Sequence, residues 1–188
     1  MRTRASWFGV GAVLVLATGC GYNRIQQKDE AVNEALGNVR AQLQRRYDLI
    51  PNLVETVKGV ARQESTVFIQ VAEARAKLGG AVQGGRPGEM AQANEALSGV
   101  LARLLVIVEQ YPELKSNQNF RDLQAQLEGT ENRISTSRQD YNEKVRDVNS
   151  FIRTFPYNLT AKIFGSSKPR DYFETTSKAA EEAPKVKF

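Results

Sequence analysis

The stretch that decides the fold runs from Phe120 to Phe155 and reads FRDLQAQLEGTENRISTSRQDYNEKVRDVNSFIRTF. Every seventh residue in it is large and apolar or aromatic: Phe120, Leu127, Ile134, Tyr141, Val148 and Phe155. Gly129 is its one glycine and it contains no proline, so the pattern predicts an unbroken helix about 55 Å long. An apolar stripe of that length needs partner helices along all of it. The stretch therefore predicts an all-α protein.

The same spacing of apolar residues predicts three more helices, over residues 24–46, 51–78 and 89–109. Pro51 predicts a tight turn at residues 47–51, because proline disfavours helical geometry in the residue before it. A kinked continuous helix through Pro51 is the alternative. Gly79 and Gly80 are predicted to end the second helix, and Pro112 opens a second turn. The long helices and short turns predict an antiparallel up-down four-helix bundle, preceded by an N-terminal signal or anchor segment.

The composition excludes most catalytic sites. The 188 residues include no histidine and a single cysteine, Cys20, which excludes Ser-His-Asp triads, Glu-x-x-His di-iron sites, an intrachain disulfide and a Cys-x-x-Cys redox pair. The net charge is +5, but Arg2 and Arg4 belong to a predicted targeting peptide, so the mature chain would carry 5 − 2 = +3. This charge is too mild to indicate a nucleic-acid partner, and aromatic residues are not interleaved with basic ones. We therefore expect no catalytic residues, no metal and no cofactor.

Residues 1–20 have the pattern of a bacterial signal peptide. Arg2 and Arg4 form a basic start, and an apolar run follows that is too short to span a bilayer by itself. The run ends in Leu-Ala-Thr-Gly-Cys, which resembles a lipobox with Ala17 where leucine is usual. Cleavage before Cys20 and acylation of its thiol would anchor the mature chain by lipid. The alternative is an uncleaved N-terminal anchor helix. By resemblance to Gram-negative sorting rules, Gly21 slightly favours the outer membrane over the inner one.

The C-terminal part divides into two predicted segments. After a bundle over residues 21–156, residues 157–174 mix apolar and basic side chains, and residues 175–188 lack periodicity and are predicted to be disordered. The 157–174 segment suits the surface of an anionic membrane. The alternative is that its apolar residues fold back over the bundle.

Several motifs resemble the signature of the LemA family. They are RRYDLIPNLVETVKG at residues 45–59, EQYPELK at residues 109–115, TENRI at residues 130–134, and Tyr141-Asn142 with Val145 and Asn149. The resemblance implies a membrane-attached antiparallel helical bundle that faces away from the cytoplasm. The family includes a magnetosome-associated protein. Many members have a transmembrane anchor where this chain has a lipobox-like sequence.

The alternating helix directions predict a partner-binding patch. If the first helix starts at the membrane, the turns at residues 47–51 and 111–117 lie together at the distal end. Five residues of these turns then form one mixed aromatic and charged patch: Tyr47, Asp48, Tyr111, Glu113 and Lys115. The alternative is that these residues only cap helices and close the bundle.

A buried polar network is predicted around Glu64, a carboxylate in an otherwise apolar row of the second helix. An unpaired buried carboxylate is costly, so we expect Glu64 to pair with the 120–155 helix. The candidate partners are Arg133, Arg138 and Asn142.

These features favour a membrane-anchored, non-enzymatic scaffold or interaction protein. Its expected contacts are membrane lipid through the N-terminal anchor and an unidentified envelope protein, with a homo-oligomer left open. A lipid-binding or membrane-remodelling protein is the main alternative. A carboxylate-based metal enzyme is the lesser one, because carboxylates without histidine favour hard, hydrated ions and basic residues lie nearby in register to pair with them.

Overall fold

The computed structural model describes the backbone of residues 4–174 and the side chains of residues 21–174. Its helices are α1 (Arg4–Lys58), α2 (Ser65–Gly84), α3 (Pro87–Val108), α4 (Pro112–Ser116), α5 (Gln118–Phe151) and α6 (Tyr157–Ile163). The described residues contain no strand, which confirms the predicted all-α class. The predicted disordered tail, residues 175–188, lies outside the described residues.

The described residues form two compact units. Unit 1 joins the part of α1 up to Asn38 to the segment Ser137–Tyr172, and unit 2 contains Val39–Thr136 and, of the described residues, also 173–174. Unit 1 therefore holds the second half of α5 and all of α6. Unit 2 holds the end of α1, the helices α2, α3 and α4, and the start of α5.

The heptad stripe of α5 is largely confirmed. Four of its six predicted positions are buried: Phe120, Ile134, Tyr141 and Val148. Leu127 is half-buried. The prediction that Phe155 belongs to the stripe is wrong, because α5 ends at Phe151 and the Phe155 side chain is 75% exposed.

The predicted turn at residues 47–51 is wrong, because α1 continues through Pro51 to Lys58. A proline inside a helix has no N–H for the carbonyl oxygen four residues earlier, which here is that of Tyr47. The Nε of Arg75 donates a hydrogen bond to this oxygen at 3.1 Å. The Arg75 guanidinium also lies 3.8 Å from the centroid of the Tyr47 ring. Arg75 thus replaces the missing donor, and the helix does not need to end.

The chain breaks later than predicted, at residues 59–64, and α2 then continues past Gly79 and Gly80 to Gly84. Gly79 serves close packing, because a Cβ there would lie 3.0 Å from the Tyr47 ring. The residue that ends α2 is Gly85, whose φ of 71° is left-handed and whose N–H donates to the Ala81 carbonyl. Glycine suits this position because it has no Cβ.

In unit 2, α3 turns one apolar stripe inward, with Met90, Leu97 and Leu104 fully buried. Among the described residues α3 is the one helix long and apolar enough to cross a bilayer by length and composition alone. It also carries the buried Asn94, whose side chain is hydrogen-bonded within unit 2.

In unit 1, side chains of α5 hold the segment that follows α6. The Asn149 amide donates to the Arg170 carbonyl at 2.9 Å and its oxygen accepts from the Arg170 N–H at 2.8 Å. The Tyr141 hydroxyl donates to the Asp171 carbonyl at 2.8 Å. The Arg170 guanidinium binds Asp29 of α1 through two nitrogens. The hydrogen bond that Arg170 donates to Asp29 raises the pKa of Arg170, and the negative charge of Asp29 adds to this effect.

Candidate functional site

The most unusual surface of unit 1 surrounds α6. Four large apolar side chains are at least half exposed there, and we call them the α6 surface: Phe155 (75%), Leu159 (51%), Ile163 (71%) and Phe164 (52%). Leu159 and Ile163 are four residues apart within α6, which places them on one side of the helix. The opposite side of α6 is packed, with Thr160 and Ala161 buried. The segment is therefore amphipathic, with its apolar side toward solvent.

The packed side of α6 lies against the residues that follow Cys20, and Phe164 of the α6 surface contacts the same residues. Gly21 is buried, and a Cβ on it would lie 3.1 Å from the Tyr157 ring and 3.2 Å from the Thr160 hydroxyl. The Tyr22 and Phe164 rings are 4.8 Å apart. The predicted anchor point and the exposed apolar side chains thus belong to the same end of unit 1. The side chain of Cys20 lies outside the described residues, so the lipid anchor stays a prediction.

The predicted partner-binding patch does not form as one surface. Tyr47 and Asp48 lie within α1, where Tyr47 packs against Arg75 and Gly79 and Asp48 accepts a hydrogen bond from Gln44. Gly79 is 14 positions after Ser65, the first residue of α2, which is about 21 Å along the helix. Tyr47 therefore packs far from the start of α2.

The other three members lie at the connection between α3 and α5. The Tyr111 hydroxyl accepts a hydrogen bond from Gln63, just before α2, at 3.1 Å. Lys115 forms an ion pair with Glu109, and Glu113 is exposed. Two separate groups replace the single predicted patch, because the premise of a turn at residues 47–51 was wrong. Whether either group binds a partner stays a prediction.

The predicted buried polar network does not form between Glu64 and its predicted partners. Glu64 is half-buried in the break before α2, and its side chain has no hydrogen bond or ion pair among the described residues. Arg133 is exposed on α5, and Arg138 and Asn142 are half-buried residues of unit 1. The prediction placed Glu64 in an apolar row only because it assumed one continuous helix from residue 51 to residue 78.

A different buried polar network is present in unit 2. Arg46 of α1 is 5% exposed, and its guanidinium donates to the side-chain oxygen of Asn94 on α3 at 2.6 Å and to Glu131 on α5. Burial lowers the pKa of Arg46, and the neighbouring charge of Glu131 partly offsets this effect. One cation therefore joins three helices.

The sequence contains a signal for this network that the predictions missed. Arg46 stands three residues after Leu43 and four before Ile50, both fully buried. A basic residue at that spacing lies on the apolar side of a helix and requires a buried partner. The predictions placed Arg46 at the end of a helix, where a charge needs no such partner.

A model of the LemA family matches residues 35–188, which is most of the chain. The chain belongs to the LemA family. Its relatives include magnetosome proteins MamQ 2 and MamQ 1 of Paramagnetospirillum magneticum, each 28% identical over 179 residues, and MamQ of Magnetospirillum gryphiswaldense, 26% identical over 176 residues. The matches cover 81% of this chain and 64–65% of the relatives. The chain thus spans somewhat less than two thirds of their length.

The LemA-like motifs coincide with the buried network. Arg46 lies in the motif at residues 45–59 and Glu131 in the motif at residues 130–134, and the ion pair joins them. Asn149 and Tyr141, from the last motif, hold the segment after α6 through their hydrogen bonds. In this LemA-family chain, several motif residues therefore have a structural role.

Unit 2 of this LemA-family protein also carries an open groove of about 530 Å³. Its apolar lining is Phe68, Ile69 and Ala72, and Lys58, Arg62 and Ser65 complete it. Lys58 is bound to Glu55 at 3.2 Å and lies 5.8 Å from the Phe68 ring centroid. Across the described part of the chain, no three acidic or cysteine side chains lie close enough together to hold a metal ion.

Proposed function

We propose that this LemA-family protein is a non-enzymatic helical scaffold that is held at a membrane of the cell envelope and binds a partner there. The observation that carries the proposal is the exposed α6 surface beside Gly21, the residue directly after Cys20. Large apolar side chains in water are unfavourable, and a bilayer adjacent to the anchor would cover them. Membership of the LemA family and similarity to magnetosome proteins support membrane association without catalysis.

The anchor in this proposal is a lipid on Cys20. Residues 1–19 direct export and are removed, and the acylated cysteine becomes the first residue of the mature chain. The folded units then face the periplasm or the exterior, and Gly21 favours the outer membrane. A second apolar contact next to the anchor adds buried apolar area at the bilayer and strengthens the attachment.

Replacing Cys20 by serine tests the anchor. We expect the Cys20→Ser chain to keep its signal peptide, because cleavage before a lipobox cysteine follows acylation of the thiol. Its mass by spectrometry should be that of the unprocessed chain without a lipid. The control is Ser6→Cys in the Cys20→Ser background, which restores a cysteine away from the predicted cleavage site and should restore nothing. Equal mature masses for the parent chain and Cys20→Ser would rule out a lipid at this position.

The partner surface in this proposal is the end of unit 2 that carries Tyr111, Glu113 and Lys115. The hydrogen bond between Gln63 and Tyr111 places this group next to the break before α2. The groove beside that break begins at Arg62 and Ser65, so an apolar groove and a charged rim share one end of the unit. Protein interfaces typically have an apolar centre with aromatic residues and a polar rim.

A photo-crosslinking amino acid at Glu113 tests this surface. We expect an adduct with one envelope protein when the full chain is irradiated in cells, because Glu113 is exposed and belongs to the proposed partner surface. The matched control places the same amino acid at Glu128, an exposed glutamate of α5 in unit 2. Equal adducts from both positions, or none from Glu113, would contradict the proposed surface. An adduct of twice the chain mass would identify a second copy as the partner.

A further inference from the structure

The chain around the α6 surface has an uneven distribution of charge. Residues 148–170 contain four lysines and arginines and no aspartate or glutamate. Residues 21–28, which pack against α6, add Arg24 and Lys28 and also contain no acid. In a chain with 26 basic and 21 acidic residues, an acid-free region of this size carries an excess of positive charge, although Asp147 and Asp171 directly flank it.

Two of these six cations are neutralised and four are not. Lys28 is paired with Asp147, and Arg170 is paired with Asp29. The remaining four are exposed and have no ion pair within the described residues: Arg24, Arg153, Lys162 and Lys168. Arg24 is oriented toward α6, since its guanidinium donates to the Tyr157 hydroxyl at 3.3 Å. Lys162 is part of α6, and Arg153 and Lys168 lie within five residues of it in the sequence. The uncompensated charges therefore belong to the same part of the chain as the exposed apolar side chains.

This arrangement fits the interface of a bilayer better than it fits a protein surface. Leu159 and Ile163 can enter the acyl boundary while Lys162 between them extends its charged end to the headgroups. Anionic headgroups attract clustered cations close to the surface. A second copy of the chain would bring the same uncompensated cations face to face, which is unfavourable.

We infer that the α6 surface binds a membrane leaflet containing anionic lipid, with Leu159, Ile163 and Phe164 inserted and Arg153, Lys162 and Lys168 at the headgroups. The inference rests on the proposed function in one respect, that the chain is held at a membrane. It adds the chemistry of the contact: α6 selects for negatively charged lipid, whereas a lipid on Cys20 does not.

The test uses the full chain in vesicles of phosphatidylcholine, with and without phosphatidylglycerol. Ile163→Cys is labelled with a fluorophore, and a spin-labelled lipid serves as the quencher. We expect quenching to be at least about threefold stronger in the anionic vesicles, and to fall toward the neutral value in high salt. The control label is at Gln139→Cys, an exposed position of α5 in unit 1 that lies 12 residues, about 18 Å, from Phe151. It should be quenched weakly in both vesicles.

Two charge variants complete the test. Lys162→Glu, combined with the Ile163→Cys label, should remove most of the anionic enhancement. Arg146→Glu makes the same change of net charge on α5, between Glu143 and Asp147, and should leave the enhancement largely in place. Equal quenching at positions 163 and 139, or equal quenching in the two kinds of vesicle, would overturn the inference.

Failure of the anchor gives a different signature from failure of the α6 contact. A second fluorophore on the Ile163→Cys chain, detected by mass, shows that Cys20 carries no lipid and contradicts the proposed anchor. Lipid-dependent quenching at position 163 can still be measured after the Cys20→Ser exchange. Strong concentration-dependent self-quenching in neutral vesicles would assign the α6 surface to a second copy instead.

Discussion

Replacing Arg46 by alanine should lower the free energy of unfolding by about 2–3 kcal/mol, roughly 5–10 °C in melting temperature. The change leaves the buried oxygen of Asn94 without its donor and opens a cavity where α1, α3 and α5 meet. Glu131 contributes less, because its side chain is 44% exposed and water can solvate it. Arg46→Met keeps the volume and should cost less than alanine. Urea unfolding followed by circular dichroism measures both.

The matched control is Arg45→Ala, which removes an exposed arginine from the same helical turn and should change stability by less than about 0.5 kcal/mol. Equal losses for Arg45→Ala and Arg46→Ala would show that the buried network does not stabilise unit 2. A loss for Arg46→Met as large as that for alanine would instead assign the effect to the hydrogen bonds alone.

Replacing Arg75 by alanine should destabilise the protein by about 2 kcal/mol, because it removes a charge-assisted hydrogen bond to the Tyr47 carbonyl and the contact with the Tyr47 ring. The Tyr47 carbonyl is free to accept from Arg75 because Pro51 has no N–H. The loss of stability caused by Arg75→Ala should therefore depend on Pro51. Pro51→Ala restores an N–H that can donate to the Tyr47 carbonyl. In a Pro51→Ala background, Arg75→Ala should therefore cost about 1 kcal/mol less.

The double-mutant cycle separates this explanation from ordinary packing. If Arg75 stabilises only by covering the Tyr47 ring, the two substitutions will be additive and the coupling will be zero. Arg86→Ala is the control for loss of an arginine in unit 2, because its ion pair with Glu89 is exposed and should contribute less than about 0.5 kcal/mol.

Apolar spacing was sufficient to predict the helical elements that pack through one face. Ile134, Tyr141 and Val148 are buried as their seven-residue spacing requires, and α3 lies within one residue of its predicted end and two of its predicted start. Such predictions succeed because burial of a stripe depends on residues close together in the sequence.

The predictions failed where a distant residue changes a local preference. Pro51 disfavours a helix locally, and Arg75, 24 positions later, supplies the donor that the proline lacks. The same error displaced the second helix, placed Glu64 in an apolar row and joined Tyr47 to Tyr111. No local pattern around Pro51 indicates that a donor is present in the folded chain.

The candidate site was predicted in composition but not in shape. The mixture of apolar and basic residues after position 156 indicated a surface segment, yet the exposure of Leu159 and Ile163 depends on how Thr160 packs near Gly21. That contact joins residues far apart in the sequence, so it could not be derived from spacing.

The unbroken course of α1 through unit 1, from Arg4 to Asn38, determines what kind of tether this protein has. A flexible linker lets a tethered domain search a volume that grows with linker length. A helix is rigid by comparison, because each residue advances it by about 1.5 Å and rotates it by about 100°. A lipid on Cys20 would be attached directly to a rigid rod whose next residue, Gly21, is already packed. Unit 1 would then have almost no reach above the lipid, and its orientation on the membrane would be fixed by the helix to which the lipid is attached.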